Sequence, residues 1–292
     1  METYPLFELF QEDFEKIPSF DAATLEKPSA SEDLLKRIFN CIDLTSLNTT
    51  DSSNSIEEFC EKVSNFPAAF PDMPNVAAVC VYPVFASIPT TKLRNLEVER
   101  AVVSAGFPSS QTFLDTKIEE TKRAVFFGAN EIDIVLSVGE FLEGNYEFAG
   151  NEITAIKGAM GDAHLKVILE TGALNSNENI WKASLLAMEA GADFIKTSTG
   201  KMSPAATPEA AWIMTHAIRA FAQKKKKIIG FKPAGGIVTV EDALVYWSIQ
   251  QEVLGEKWLT NKLFRLGASR LANNILTEIE SLRGTGKTVS YF

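Results

Sequence analysis

The sequence predicts an α/β protein built as one (β/α)8, or TIM, barrel. Three observations point there. Short β-branched runs alternate with longer amphipathic stretches about eight times along the chain. Each such pair needs a crossover that returns the chain to the same end of a parallel sheet. An open doubly wound sheet is the structural alternative, but the first strand–helix turn, Leu47-Asn48-Thr49-Thr50, carries no glycine-rich dinucleotide fingerprint. At 292 residues, 46% of them hydrophobic, the chain has core material for a barrel in a single domain.

In chain order, residues 1–30 precede the first repeat and are expected to form a short helical or irregular extension, a lid over one end of the barrel. The barrel itself is expected over 31–283. Its strands fall at 41–47, 76–82, 100–105, 131–138, 166–171, 193–199, 228–233 and 263–267. Helical segments are expected at 109–127, 145–160, 177–190, 207–222, 240–254 and 269–282. Thr207-Pro208-Glu209 offers one of them an N-cap, a first-turn proline and an early acid. Gly128, Gly161 and Gly191 fall where helices should stop and turn back toward a strand. The basic run Lys224-Lys225-Lys226-Lys227 suits a helix C-terminus. Residues 284–292 read as a flexible tail with an aromatic end.

Composition narrows the function classes. With 28 basic and 38 acidic residues the formal charge is −10, so the chain lacks the basic footprint expected for nucleic acid or an anionic membrane. No stretch is long and apolar enough to cross a bilayer. Glu2, Glu8, Glu12, Asp13 and Glu15 spoil a secretory or mitochondrial targeting reading of the N-terminus. Cys41, Cys60 and Cys80 are odd in number and about twenty residues apart, which fits neither a disulfide framework nor a zinc cluster. His164 and His216 have no ligand-spaced partners. The expectation is a cytoplasmic protein with no metal or cofactor and no nucleic-acid or membrane partner.

Strand parity then locates the chemistry. Alternate side chains of a strand point to opposite faces, one toward the helices and one into the barrel. In Glu131-Ile132-Asp133-Ile134-Val135-Leu136 the bulky aliphatics Ile132, Ile134 and Leu136 suit the helix layer, which turns Asp133 inward. The same logic turns Asp43 inward from between Ile42 and Leu44, and Cys80 from between Val79 and Val81. Lys232 follows Phe231 inward, and Lys196 goes inward if Ile195 takes the helix side. Lys166 shares parity with Ile168 and Glu170, so its direction stays open. Buried charge is expensive unless paired. A structural ion-pair network is one explanation. Chemistry is the other, and it is favoured because most of these groups lie near strand C-termini, where barrel active sites assemble.

A pair of interior lysines has a chemical use. A free amine with a pKa of about 10.4 is neutral in only about one molecule in 2,500 at pH 7, and only the neutral amine attacks a carbonyl. A neighbouring ammonium and a dry wall both lower the pKa. A drop of about three units, worth about 4 kcal/mol, would make roughly half the amine nucleophilic. Lys232 can supply part of that push on Lys196, and Asp133 can move protons as a carbinolamine dehydrates.

At these residues the sequence resembles the deoxyribose-phosphate aldolase family. Gly191-Ala192-Asp193-Phe194-Ile195-Lys196-Thr197-Ser198-Thr199-Gly200-Lys201 resembles that family's Schiff-base segment, and Gly230-Phe231-Lys232-Pro233-Ala234-Gly235-Gly236-Ile237 its second lysine segment. Asp43-Leu44-Thr45, Ala77-Ala78-Val79-Cys80-Val81-Tyr82-Pro83, Glu131-Ile132-Asp133-Ile134-Val135, Lys166-Val167-Ile168-Leu169-Glu170-Thr171-Gly172 and Arg265-Leu266-Gly267-Ala268-Ser269 match in the same order. The resemblance implies a class I, metal-free aldolase acting on a sugar phosphate and an aldehyde. Lys196 would be its nucleophile, Lys232 its second lysine and Asp133 its acid/base. It further implies a substrate pocket with Asp43, Thr45, Cys80, Lys166 and Thr199.

A phosphate site is expected where Gly200-Lys201, Gly235-Gly236 and Gly267-Ala268-Ser269 follow successive late strands, because small residues let backbone N–H groups approach an anion. Two positions depart from the family pattern. Val238 stands where an arginine is usual, and Arg270 stands where a small residue is usual, so Arg270 is expected to replace part of the missing cation. Tyr291 is a candidate for the tyrosine that ends the family's tail, although Phe292 lies beyond it. Two rival readings remain: a transaldolase-like enzyme for another sugar phosphate, and a catalytically silent binding protein on the same scaffold. Either is compatible with a homo-oligomer.

Overall fold

The eight strands are all parallel: β1 (Ile42–Thr45), β2 (Ala78–Val81), β3 (Glu99–Val103), β4 (Glu131–Val135), β5 (His164–Ile168), β6 (Phe194–Lys196), β7 (Gly230–Lys232) and β8 (Leu266–Ala268). Ladders run from β7 through β6 to β1 and on to β8, and the bridges Phe231–Phe264 and Ala234–Gly267 join the two ends, so the sheet closes into a (β/α)8 barrel. These positions come from a computed structural model that describes residues 4–292. Several ladders are shorter than the β-branched runs that predict them, since the chain leaves the sheet early to build the mouth: β6 pairs only over Phe194–Lys196, and Thr197 to Thr199 already belong to the rim.

The helices are α1 (Pro5–Leu9), α2 (Gln11–Glu15), α3 (Glu32–Phe39), α4 (Ser53–Ala69), α5 (Ser87–Lys92), α6 (Leu114–Phe126), α7 (Val138–Leu142), α8 (Tyr146–Gly158), α9 (Asn177–Glu189), α10 (Pro208–Lys225), α11 (Val240–Leu254) and α12 (Arg270–Leu282). Local chemistry sets their ends. Thr207 caps α10 through its hydroxyl, Pro208 fills the first turn, and Lys226 leaves the helix in a left-handed conformation that accommodates the end of the basic run. Ser52 and Ser55 form a reciprocal capping box on α4, a helix for which the sequence reading named no segment. α6 starts at Leu114 instead of 109, because Ala105, Gly106 and Ser110 take positive φ and keep the preceding residues as a loop.

The N-terminal extension corrects one expectation. It is a strap along the outside of the barrel, not a lid over its end. Phe10 stacks on Phe221 at 6.0 Å, Phe14 lies 5.6 Å from Trp181, and Phe20 lies 5.6 Å from Trp212. Trp212 Nε1 donates to the Pro18 carbonyl at 2.8 Å. α1, α2 and the following loop thus cover the outer faces of α9 and α10 with aromatic surface.

Helices and outward strand faces share one continuous apolar layer. The interior is divided. Leu47, Ala78, Cys80, Ala101 and Val103, with Tyr82 and Phe107, form a separate apolar cluster on the β1–β3 side. The rest of the interior carries the charged groups, with Val135, Ile168 and Phe194 packed among them.

Candidate active site

Parity builds that charged interior. Ile132, Ile134 and Leu136 join the helix layer and aim Asp133 inward, Ile195 does the same for Lys196, and Phe231 for Lys232. Lys196 and Lys232 are register partners on adjacent strands, and Asp133 pairs with Lys166 across β4 and β5. The open question about Lys166 is settled: Leu165, Val167 and Leu169 pack on the helices, so Lys166 faces in.

Asp133 is the hub. Its Oδ2 lies 2.8 Å from Lys196 Nζ and 2.8 Å from Lys232 Nζ, and its Oδ1 lies 3.2 Å from Lys166 Nζ. Asp43 Oδ2 lies 2.5 Å from Lys232 Nζ and 3.3 Å from Lys166 Nζ, while its Oδ1 accepts from Arg265 Nη1 at 2.6 Å. Glu131 accepts from Arg265 Nη2 at 2.8 Å and pairs with Lys166 as well. Sequence reasoning gave Glu131 and Arg265 no role. For Glu131 the signal was available, because it shares parity with Asp133 on the same strand; Arg265 meets Asp43 and Glu131 only through the closed barrel.

Within this cluster three carboxylates, Asp43, Glu131 and Asp133, face four cations, Lys166, Lys196, Lys232 and Arg265. With every group ionised one positive charge is in excess, and loss of a single proton from an ammonium neutralises the cluster. Lys196 is the group pushed that way. Burial lowers its pKa most, Asp133 opposes, and the Lys232 ammonium adds to the fall. Lys166 and Lys232 are also desolvated, yet each is raised: Lys166 by Asp133, Asp43 and Glu131, and Lys232 by Asp133 and Asp43. Burial works against ionisation of Asp133, but Lys166, Lys196 and Lys232 hold its carboxyl well below the usual carboxylate range.

Above the cluster opens a cavity of about 210 Å³, with Lys196 on its wall. Thr45 and Thr199, two of the residues named for a substrate pocket, line it. Asp43, Cys80 and Lys166 do not reach it; they are fully buried beneath it. Gly200, Lys201, Gly235, Gly236, Gly267, Ser269 and Arg270 all line the cavity, so one rim gathers every residue expected at a phosphate site, with Val238 beside them. Gly235 has φ 85°, and a Cβ there would stand 2.8 Å from Ala205 Cβ and 3.1 Å from Gly200 Cα, so only glycine lets the β6 and β7 loops meet. Lys201 Nζ donates to the Leu47 carbonyl across the mouth. Arg270 is exposed and makes no side-chain hydrogen bond or ion pair among the described residues.

Tyr291, expected at the site, lies elsewhere. The tail runs back along α12, with Tyr291 N and Phe292 N donating to Asn273 Oδ1, and the Tyr291 ring packs on Phe66 of α4 and on Phe70, which caps it. Its hydroxyl donates to the Lys62 carbonyl at 2.9 Å, on the outside of the barrel. Apolar contacts with Phe39, Phe66 and Phe70 hold this aromatic end there, away from the cavity. As for metal, no group of three histidine, cysteine or acidic side chains among the described residues is disposed to bind one, and no helix among them is long and apolar enough to cross a membrane.

A closed barrel whose strand C-termini present a buried lysine to an open cavity defines the class: a barrel enzyme with its chemistry at the mouth. Residues 37–269 match the model of the DeoC/LacD family aldolases. The human deoxyribose-phosphate aldolase is 41% identical over 283 residues, covering 92% of this chain and 87% of its own. The mouse deoxyribose-phosphate aldolase is 43% identical over 269 residues, covering 88% and 84%. Among solved structures, the aldolase QR15 superposes with a TM-score of 0.69 at 29% identity, covering 84% of this chain and 98% of its own. The tetrameric deoxyribose phosphate aldolase of Aeropyrum pernix, at 22% identity and a TM-score of 0.65 over 87% of this chain and 99% of its own, shares the fold. The chain belongs to the DeoC/LacD aldolase family and is a lyase.

Proposed function

We propose that this protein reversibly cleaves 2-deoxy-D-ribose 5-phosphate to D-glyceraldehyde 3-phosphate and acetaldehyde through a Schiff base on Lys196. One observation carries the reading: of the lysines in the buried cluster, Lys196 alone has a lowered pKa, and it alone lines the cavity.

The neutral Nζ attacks the aldehyde carbon of the open-chain sugar and gives a carbinolamine, whose hydroxyl leaves as water on protonation. The resulting iminium draws electrons from the neighbouring carbon–carbon bond. A base removes the proton of the C3 hydroxyl, the C2–C3 bond breaks, and C3 departs as the aldehyde of glyceraldehyde 3-phosphate. The electron pair remains as an enamine on the two-carbon fragment. Protonation at C2 and hydrolysis of the imine release acetaldehyde and restore Lys196. The Asp133–Lys232 pair, in contact with Lys196, is suited to pass these protons, either directly or through one water.

The rim is suited to the phosphate. Glycine N–H groups of the β6 and β7 loops, the N-terminus of α12 behind Ser269, and the side chains of Lys201 and Arg270 gather there. Incubation with acetaldehyde and borohydride tests the chemistry directly. Mass spectrometry should find one two-carbon adduct, on Lys196. An adduct elsewhere, or full turnover by Lys196→Leu, would reject the assignment.

A further inference from the structure

Where the loop after β5 meets the loop after β6, one side chain joins them, and neither the charge cluster nor the steps above give it a task. Glu170 has a left-handed backbone, φ 54° and ψ 59°, which costs a residue with a Cβ about 1–2 kcal/mol. Its carboxylate is buried, with the residue 7% exposed, and it has no salt bridge among the described residues. Two expensive features at one residue call for a use.

Both carboxylate oxygens are taken by a single partner. Glu170 Oε1 accepts the Thr199 N–H at 3.2 Å, and Oε2 accepts the Thr199 hydroxyl at 2.5 Å. Committing its proton to Glu170 turns a lone pair of the Thr199 hydroxyl toward the next loop, where it accepts the Lys201 N–H at 3.0 Å. The contact continues beyond the carboxylate. A Cβ on Gly172 would stand 2.2 Å from the Pro204 carbonyl oxygen, so the β5 loop lies flat on the far side of the same β6 loop. Thr199, Gly200 and Lys201 all line the cavity, whereas Glu170 does not.

We propose that Glu170 is a positioning residue for anion recognition: through Thr199 it sets the backbone of Gly200 and Lys201 that faces the phosphate end of the cavity. A carboxylate near an anion would repel it if its oxygens faced the cavity. Here both are spent on Thr199, and the negative charge serves as a strong acceptor behind the loop. The proposal rests on reading this rim as the phosphate end.

The test compares full-length variants in two measurements: inorganic phosphate binding by calorimetry, and the ratio of kcat/KM for 2-deoxyribose 5-phosphate to kcat/KM for 2-deoxyribose. Glu170→Gly removes the carboxylate and also relieves the left-handed backbone, so a folding defect does not mask the result. We expect phosphate affinity and the substrate ratio each to fall about tenfold, the scale of a lost buried acceptor. Thr199→Val removes the other end of the contact and should do the same, with the double variant no worse than either single one. Glu170→Gln, which keeps one acceptor, should recover part of the loss. Unchanged phosphate affinity in Glu170→Gly overturns the proposal, as does an equal loss on both substrates, which marks a general structural role. A wild-type protein that does not bind inorganic phosphate overturns it too. Phosphate binding that depends on Glu170, without aldol cleavage by the wild type, would instead sink the proposed reaction and leave this cradle standing.

Discussion

The floor and the mouth of the barrel push the same side chain in opposite directions. Lys166 on β5 and Lys196 on β6 are both buried, and the register sets them one layer apart, since Ile168 pairs with Lys196. Lys166 faces Asp43, Asp133 and Glu131, and its ammonium is held above the ordinary lysine range. Lys196 faces Asp133 alone, shares that carboxylate oxygen with Lys232, and is held below it. Burial therefore does not by itself make a nucleophile. The count of carboxylates within reach decides which way the pKa of a desolvated amine is pushed. The floor also has its own support: the Arg265 guanidinium sits over the Phe194 ring at 5.7 Å, and that ring occupies the space a side chain would need at Gly230.

Stability offers the harshest way to break this comparison. Lys166→Met removes the one ammonium that contacts all three carboxylates, Asp43, Glu131 and Asp133, and should cost about 3–5 kcal/mol of folding free energy. Lys196→Met removes the excess positive charge and should cost less than about 1 kcal/mol while abolishing adduct formation. Urea denaturation of the two variants measures both. Equal losses would mean that floor and mouth are one undifferentiated network.

Much of this contrast was legible in the sequence. Period-two alternation placed Asp43, Cys80 and Asp133 inside because bulky aliphatics on the same strands claim the helix layer. It stalled at Lys166 because the same parity runs on to Glu170, where the chain has already left the ladder in a left-handed turn. Arg265 lies just before the short β8 ladder and its partners come from β1 and β4, far away in sequence, so only the closed barrel brings them together. The strap and the tail were misread for a different reason. Aromatic content tells that Phe10, Phe14 or Tyr291 will bury a face, but not which surface receives it. That surface is built by α9 and α10 in one case and by α4 in the other.

The pH dependence sharpens the role of Lys232. Removing its ammonium deletes a like charge beside Lys196 and also frees Asp133 Oδ2 to hold Lys196 alone. Both changes favour the protonated amine, so in Lys232→Met the acid limb of kcat/KM should move to higher pH, by about one unit or more. Each unit costs about tenfold in rate on the acid side. The linkage to stability has its own sign. Because the folded pKa of Lys196 lies below the unfolded value, the folded state binds fewer protons in between, and this group contributes stability that rises with pH from its folded pKa to about 10.5. The variant should flatten that rise. A limb that stays in place would show that burial alone sets Lys196, and one that moves to lower pH would overturn the part assigned to Lys232.

The smallest effect is expected at the rim, where charge is solvated instead of buried. Arg270 is exposed, has no partner among the described residues, and sits at the first turn of α12 beside the cavity. A solvated cation there would act on the proposed phosphate in competition with salt, unlike the paired groups below. Arg270→Ala should raise KM for 2-deoxyribose 5-phosphate about three- to tenfold, leave kcat nearly unchanged, and leave the non-phosphorylated sugar unaffected. The difference from wild type should shrink as ionic strength rises. Val238 offers the reciprocal measurement, since Val238→Arg in the Arg270→Ala background supplies a cation from the neighbouring β7 loop of the same rim. Recovery of KM in that double variant would show that the rim needs a positive charge but not a particular strand to deliver it. An unchanged KM in Arg270→Ala would leave Lys201 and the backbone N–H groups to hold the anion without it.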